Sequence, residues 1–368
     1  MPTLRWLSSF AVFCALASTA FAQQVGDDVV VNTDQVAPLA EKGRTSALNK
    51  GEIVSVLKVD GDRFFVRLAQ GRDAQTEGWI NRSDVQALSP AQVATSDEIK
   101  HEPTARAYAL RAKIWFALRE YDKALADFDE AIRRDPKQAA FYCDRGTARS
   151  YKRQDDQAIA DYTEAIRLDP KFATAYVRRA YSWRAKAKFD KAMADCDEAL
   201  RINPLFAAGH MAKAAVWSQS RQYGLAISEC SEAIRLDPNF AMAFAGRGYA
   251  WQLKKEYAKG LSDYNDAIRL APKTATTYMN RGSVHDAMEQ YDLSLADYDA
   301  AARLSPKSFT PPVARAWLMA TCPDPRCRDA KKSLKDAKKA CELAEWKDGN
   351  CLEVLAAAYS ENGDFLNA

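Results

Sequence analysis

The sequence predicts a mainly α protein, a stacked array of antiparallel helix pairs, preceded by a small all-β domain. Three observations carry this expectation. Six prolines, Pro136, Pro170, Pro204, Pro238, Pro272 and Pro306, fall 34 residues apart without a slip of register. Between them apolar residues recur three and four apart in two runs per period, the spacing of one buried stripe on each of two helices. Ahead of them, residues 25–88 alternate short β-rich runs with turn residues.

Composition limits what such a chain can be. At 368 residues it exceeds one ordinary globular core. A repeat array escapes that limit because each unit packs only on its neighbours. The net charge is +3 with acidic and basic residues interleaved. There is no basic stripe for a phosphate backbone, so nucleic acid is not an expected partner.

Residues 1–22 read as a secretory signal peptide. Arg5 supplies the positive start, Trp6 to Ala17 an apolar stretch, and Ala20-Phe21-Ala22 the small residues of a cleavage site. Cleavage is expected after Ala22, which places the mature protein in the periplasm or outside the cell, without stable membrane insertion. The other reading, an uncleaved anchor, meets an apolar run short for a full span. Phe13 before Cys14 is too bulky for a lipoprotein signal.

Within 25–88, strands are expected at Val29–Asn32, Ile53–Val59, Arg63–Leu68 and Gly78–Ile80, with Asp60-Gly61 as a hairpin signal. Gly51-Glu52 entering a Val/Leu strand, the Asp-Gly turn, the aromatic strand and the closing Gly78-Trp79-Ile80 with Asp84-Val85 resemble the bacterial SH3-like domain. That resemblance implies a small barrel and contact with cell-wall peptide or glycan. Trp79, Phe64 and Phe65 are either core filling or surface, and strand alternation sends one of the two phenylalanines outward. Residues 89–104 read as a linker.

The repeats occupy 105–308 as six units, 105–138, 139–172, 173–206, 207–240, 241–274 and 275–308, numbered so that each proline is position 32. Position 4 holds Tyr108, Tyr142, Tyr176, His210, Phe244 and Tyr278; position 8 holds Ala112, Gly146, Ala180, Ala214, Gly248 and Gly282. Position 27 is alanine throughout, from Ala131 to Ala301. This pattern resembles the tetratricopeptide repeat, with Arg149 and His285 replacing the aromatic at position 11 and Cys196 and Cys230 at position 24. The resemblance implies a right-handed α-solenoid that works as a protein-interaction scaffold. Asp122, Asp156, Asp190 and Asp292 at position 18 are expected to cap the second helices, and the prolines to end them.

The resemblance also implies that residues near positions 2, 5, 9 and 12 line a concave groove. Here these are Lys113, Phe116, Thr147, Tyr181, Arg184, Met211, Ser218, Tyr249, Gln252, Met279 and Asp286. Such a lining suits a protein or peptide segment held by aromatic and Met contacts, and lacks a regular Lys and Asn set for a terminal carboxylate. Part of it is open to a second reading, packing on neighbouring repeats.

One pattern lies outside the apolar plan. Position 7 holds Arg111, Arg145, Arg179, Lys213, Arg247 and Arg281, and position 23 holds Asp127, Asp161, Asp195, Glu229, Asp263 and Asp297. We expect a ladder of ion pairs, within a unit or between neighbours; two solvated rows are the alternative. A buried pair would cost about 3 to 5 kcal/mol to break, an exposed one under about 1.

Residues 309–368 form a divergent seventh unit and the first helix of a partial eighth. Phe309-Thr310-Pro311-Pro312 is expected to interrupt the register, and the chain stops at Ala368 as a cap or a truncation. Cys322 and Cys327 flank a proline-rich loop and could close a disulfide in an oxidising compartment, with Cys341 and Cys351 a second pairing. No cofactor or metal is expected: His101, His210 and His285 lie far from the cysteine loop, whose spacing is not that of a zinc knuckle. There is no phosphate-cradling glycine loop, HExxH helix or GxSxG elbow, so the chain is not expected to be an enzyme.

Overall fold

The structure, a computed structural model, describes residues 103–364, Ile99 and the backbone of seven short strands. The signal-like segment 1–22, most of the 89–104 linker and the end of the chain at Ala368 lie outside the described residues. The chain divides between Ser220 and Arg221 into two compact units.

The strands of the N-terminal unit are β1 (Asp28–Val31), β2 (Leu39–Ala40), β3 (Thr45–Ser46), β4 (Ile53–Asp60), β5 (Arg63–Leu68), β6 (Glu77–Asn81) and β7 (Val85–Ala87). Five of them form an antiparallel sheet in the order β6-β5-β4-β1-β7, and β2 pairs with β3. Asp60 stands opposite Arg63, and the register shifts between Val56 and Lys58. First and last strands are neighbours, with Val29 opposite Ala87.

Among the described residues seven helices follow in that unit: α1 (Ala105–Ala117), α2 (Tyr121–Arg134), α3 (Ala139–Tyr151), α4 (Asp155–Leu168), α5 (Ala173–Ala185), α6 (Phe189–Ile202) and α7 (Ala207–Gln219). The described residues of the C-terminal unit carry eight: α8 (Tyr223–Leu236), α9 (Ala241–Leu253), α10 (Tyr257–Leu270), α11 (Ala275–Ala287), α12 (Tyr291–Leu304), α13 (Thr310–Thr321), α14 (Ala330–Leu343) and α15 (Gly349–Glu361). No described helix is long and apolar enough to cross a membrane.

The turn between the two helices of a repeat is built the same way each time. Position 15 takes a left-handed backbone at Arg119, Arg153, Ala187, Arg221, Lys255 and Glu289, with φ between 56 and 63°. Glycine is the residue that adopts this conformation freely, and none of the six is glycine. The second helices end two residues before each proline. Asp135, Asp169, Asn203 and Asp237 are their C-caps, and each side chain accepts from the backbone N–H two residues on, at 3.2, 3.1, 3.1 and 3.0 Å. This Asx turn explains why an acid or amide precedes the proline.

The capping expectation at position 18 is corrected. The second helices start at position 17, their N-cap residues make no side-chain cap bond, and the position 18 aspartates lie inside the first turn. There they favour the helix dipole. Asp122 and Asp156 reach instead to Lys152 and Lys186 of the following repeat, the latter at 2.5 Å.

Small and large residues are matched across each pair. A Cβ on Gly146 would lie 2.8 Å from Cε1 of Tyr162, and one on Gly282 2.8 Å from Cε1 of Tyr298. Glycine at position 8 therefore makes room for tyrosine at position 24. In the third repeat Ala180 packs with Cys196, the smaller partner.

The expected break at Phe309 is also corrected. α13 keeps the period, because Arg315 falls at position 7 counted from residue 309. The slip comes after Thr321, in a longer loop that ends where Asp329 caps α14 by accepting from Lys332 N at 2.9 Å.

Candidate functional site

Residues at positions 2, 5, 9 and 12 are spaced three and four apart, which puts them on one stripe of each first helix. In the N-terminal unit much of that stripe is engaged internally. Lys113 Nζ lies 3.3 Å from Asp144. Thr147 donates to the Cys143 carbonyl at 2.9 Å and accepts from Arg178. Tyr181 carries the Arg184 guanidinium 5.5 Å from its ring centroid, and the Arg184 carbonyl accepts from Gln219 Nε2 at 3.5 Å. Phe116 is buried between the rings of Tyr121 and Tyr151, at 5.6 and 4.9 Å. Arg184, Met211 and Ser218 are buried as well.

In the C-terminal unit Gln252 accepts from the Tyr264 hydroxyl at 2.8 Å and donates to Ser283 Oγ at 3.3 Å. Met279 packs against Tyr298, Leu318 and Cys322. Tyr249 is half-buried. Asp286, also half-buried, is pushed above the usual carboxylate range by burial, and its neighbours Tyr291, Tyr298 and Cys322 carry no positive charge.

The charged rows meet at short range. Arg111 grips Asp127 with Nε and Nη2, both at 2.7 Å. Arg179 holds Asp195 at 2.8 and 2.7 Å, Arg247 holds Asp263 at 2.9 and 2.7 Å, and Arg281 holds Asp297 at 2.8 and 2.6 Å. Arg145 binds Asp161 at 2.6 Å, where Arg149 adds a second guanidinium at 2.9 Å. Arg315 repeats the grip on Asp336 in the seventh repeat, at 2.6 and 2.7 Å. The six carboxylates are nearly fully buried, 3 to 7% exposed. The hydrogen bond to aspartate raises Arg111, Arg247, Arg281 and Arg315 above the ordinary guanidinium value.

From the second repeat on, each cation has one more contact that the two rows did not disclose. Nη1 of Arg145, Arg179, Arg247, Arg281 and Arg315 reaches back to Asp129, Thr163, Ser231, Asn265 and Asp299. Lys213 Nζ does the same at Asp197, 2.8 Å away. All six acceptors stand at position 25 of the preceding repeat. The signal was in the sequence: position 25 carries a side-chain oxygen every time. Polar residues at position 11 join the same cluster, Arg149 on Asp161 and His285 3.9 Å from Asp297.

The seven described cysteines are free and buried. Cys322 and Cys327 share one apolar cluster, and Cys327 Sγ donates to Asp292 at 3.6 Å. Cys341 and Cys351 share another. Burial pushes the thiols of Cys143, Cys230 and Cys351 up to about 12, which leaves them protonated and poor nucleophiles at neutral pH. Among the described residues no cluster of His, Cys, Asp or Glu is arranged to hold a metal ion.

Residues 105–138, 143–205 and 275–308 each match a tetratricopeptide repeat family model. These segments are tetratricopeptide repeats. Solved structures similar to the chain include the following two. The Cut9–Hcn1 hetero-tetramer of the APC/C is 15% identical with a TM-score of 0.58, over 74% of this chain and 52% of that one. This chain thus spans about half the length of that relative. A tetratricopeptide repeat protein from Parabacteroides merdae is 17% identical with a TM-score of 0.52, over 69% and 98% of the two chains. At these identities the likeness is one of fold, a tetratricopeptide solenoid. Comparison with curated proteins finds no match.

Proposed function

We propose that the protein is a non-catalytic scaffold, exported from the cytoplasm, that holds a protein or peptide segment against the first-helix stripe of its tetratricopeptide repeats. Proteins built from these repeats are generally interaction scaffolds. The observation that carries the reading here is the set of half-buried side chains on the first-helix stripes: Tyr181 and Tyr249 pair apolar area with a polar tip, Met279 adds an adaptable apolar side chain and Asp286 a carboxylate. The cationic start, apolar run and small-residue site in residues 1–22 support a periplasmic or extracellular location. The test is a pulldown with the chain from residue 23 onward as bait, beside Tyr181→Ala and Tyr249→Ala. Capture that is the same for all three baits removes the stripe from the proposal.

A second reading gives residues 25–88 a role of their own, binding cell-wall peptide or glycan through an SH3-like barrel. It is supported by the strand order, in which the first and last strands of the sheet are neighbours and a short β2–β3 hairpin interrupts the path from β1 to β4. Sedimentation with purified cell wall tests it. A chain lacking residues 23–88 that sediments as well as the full one leaves the scaffold reading alone.

A further inference from the structure

The three nearly fully buried aspartates of the C-terminal unit follow a rule that the half-buried Asp286 does not. Asp263, Asp297 and Asp336, all nearly fully buried, are each gripped by an arginine through two hydrogen bonds. The carboxylate of Asp286, half-buried on α11, has no hydrogen bond or ion pair among the described residues, and burial alone sets it above the usual range. A carboxylate that loses hydration without gaining a cation is a net cost to the folded chain. The same face shows how that cost is offset elsewhere: Lys113 is paired with Asp144, and the Arg184 guanidinium lies over the Tyr181 ring. Lys113 and Arg184 each have a compensating group on that face, and the Asp286 carboxylate has none among the described residues.

Its surroundings are neutral and partly apolar. One turn and two turns back along α11 stand Ser283 and Met279, and Gln252 of α9 bridges to Ser283. A lysine or arginine would add charge where the face has an uncompensated negative one. A glutamate or a terminal carboxylate would meet repulsion.

We infer that Asp286 anchors a lysine or arginine side chain of the segment that docks on the first helices of the C-terminal unit. The inference rests on the docking reading above and gives that partner a chemistry: a basic residue flanked by apolar ones that lie on Met279 and Tyr249.

The experiment uses the full chain and fluorescent ten-residue peptides in a common Leu/Tyr/Gln frame, differing at one central residue: lysine, arginine, norleucine or glutamate. Binding is read by anisotropy at low salt and at 0.5 M NaCl, for the unaltered protein, Asp286→Asn, Asp286→Lys and Tyr249→Ala. The expected result is that lysine and arginine peptides bind about tenfold more tightly than norleucine, the scale of one charge-assisted hydrogen bond. That preference disappears in Asp286→Asn, shrinks in salt and turns toward glutamate in Asp286→Lys. Equal affinity for lysine and norleucine peptides, or a preference that survives Asp286→Asn, overturns the anchor and leaves docking intact. No binding by any peptide, or binding that Tyr249→Ala does not weaken, overturns docking and the anchor with it.

Discussion

In the N-terminal unit the first helices turn their polar side chains on one another. Lys113 meets Asp144, and Thr147 meets Arg178. Both links join position 9 of one repeat to position 6 of the next. In the C-terminal unit the corresponding positions are Tyr249 and Asn280, and position 6 of the repeat before is Gly246. There Gln252 reaches Ser283, and the Asp286 carboxylate keeps its charge uncompensated. One repeat plan thus yields a laced face in one unit and a chemically unfinished one in the other.

The comparison holds only if both units stand on the same internal scaffold, and the largest predicted effect tests that. Asp161→Ala and Asp297→Ala each strand guanidinium groups that are about one-fifth exposed. Each is expected to cost about 3 kcal/mol, more for Asp161 because it serves two arginines. The measurement is the urea midpoint of the full chain by circular dichroism. A loss under about 1 kcal/mol in either unit would show a solvated pair there and break the symmetry.

Close packing gives the next effect. Gly146→Ala and Gly282→Ala drive a methyl to 2.8 Å from a tyrosine ring carbon, and about 1 to 3 kcal/mol is expected in both units. Unequal losses would mean that one tyrosine yields and the other does not. A smaller change has the opposite sign. Ala187→Gly and Glu289→Gly relieve a left-handed backbone and should stabilise by under about 1 kcal/mol, seen as a raised Tm.

The smallest effect sharpens the contrast most. Because burial raises the folded-state value of Asp286, the folded chain binds this proton more tightly than the unfolded chain. Its contribution to stability is therefore greatest in acid and is lost as pH rises through the folded value. Asp286→Asn should stabilise by under about 0.5 kcal/mol at pH 7, with no gain below the unfolded carboxyl value of about 3.9. Thermal melts across pH 3 to 7 read this directly, and a gain that does not shrink in acid contradicts it.

Much of this was legible in the chain because a period repeats its evidence. The prolines fixed helix ends, and the alanines at position 27 fixed the packing stripe. The arginines and aspartates at positions 7 and 23 announced themselves by never changing sign. What escaped was whatever depends on a neighbour in space. The reach of Arg145 to Asp129 crosses a repeat boundary, so no helical spacing within one repeat reports it. Position 18 misled for a related reason: aspartate near a helix start looks like a cap, and only the backbone path shows that the helix has already begun at Asp155. At the candidate site, the sequence pointed to the stripe but could not separate Lys113 from Asp286, since a charge is answered or unanswered only by what folds beside it.

The contact at position 25 gives the array a property beyond rigidity. From the second repeat to the seventh, each presents a cation that meets an oxygen at position 25 of the repeat before it, so the junctions are interchangeable couplings. Excising residues 139–172 in one piece would leave Arg179 facing Asp129, a join as good as the one removed. Such a chain can gain or lose whole repeats by recombination without re-engineering a seam. Its length, and with it the reach of the surface it offers, is the trait that evolution can change most easily.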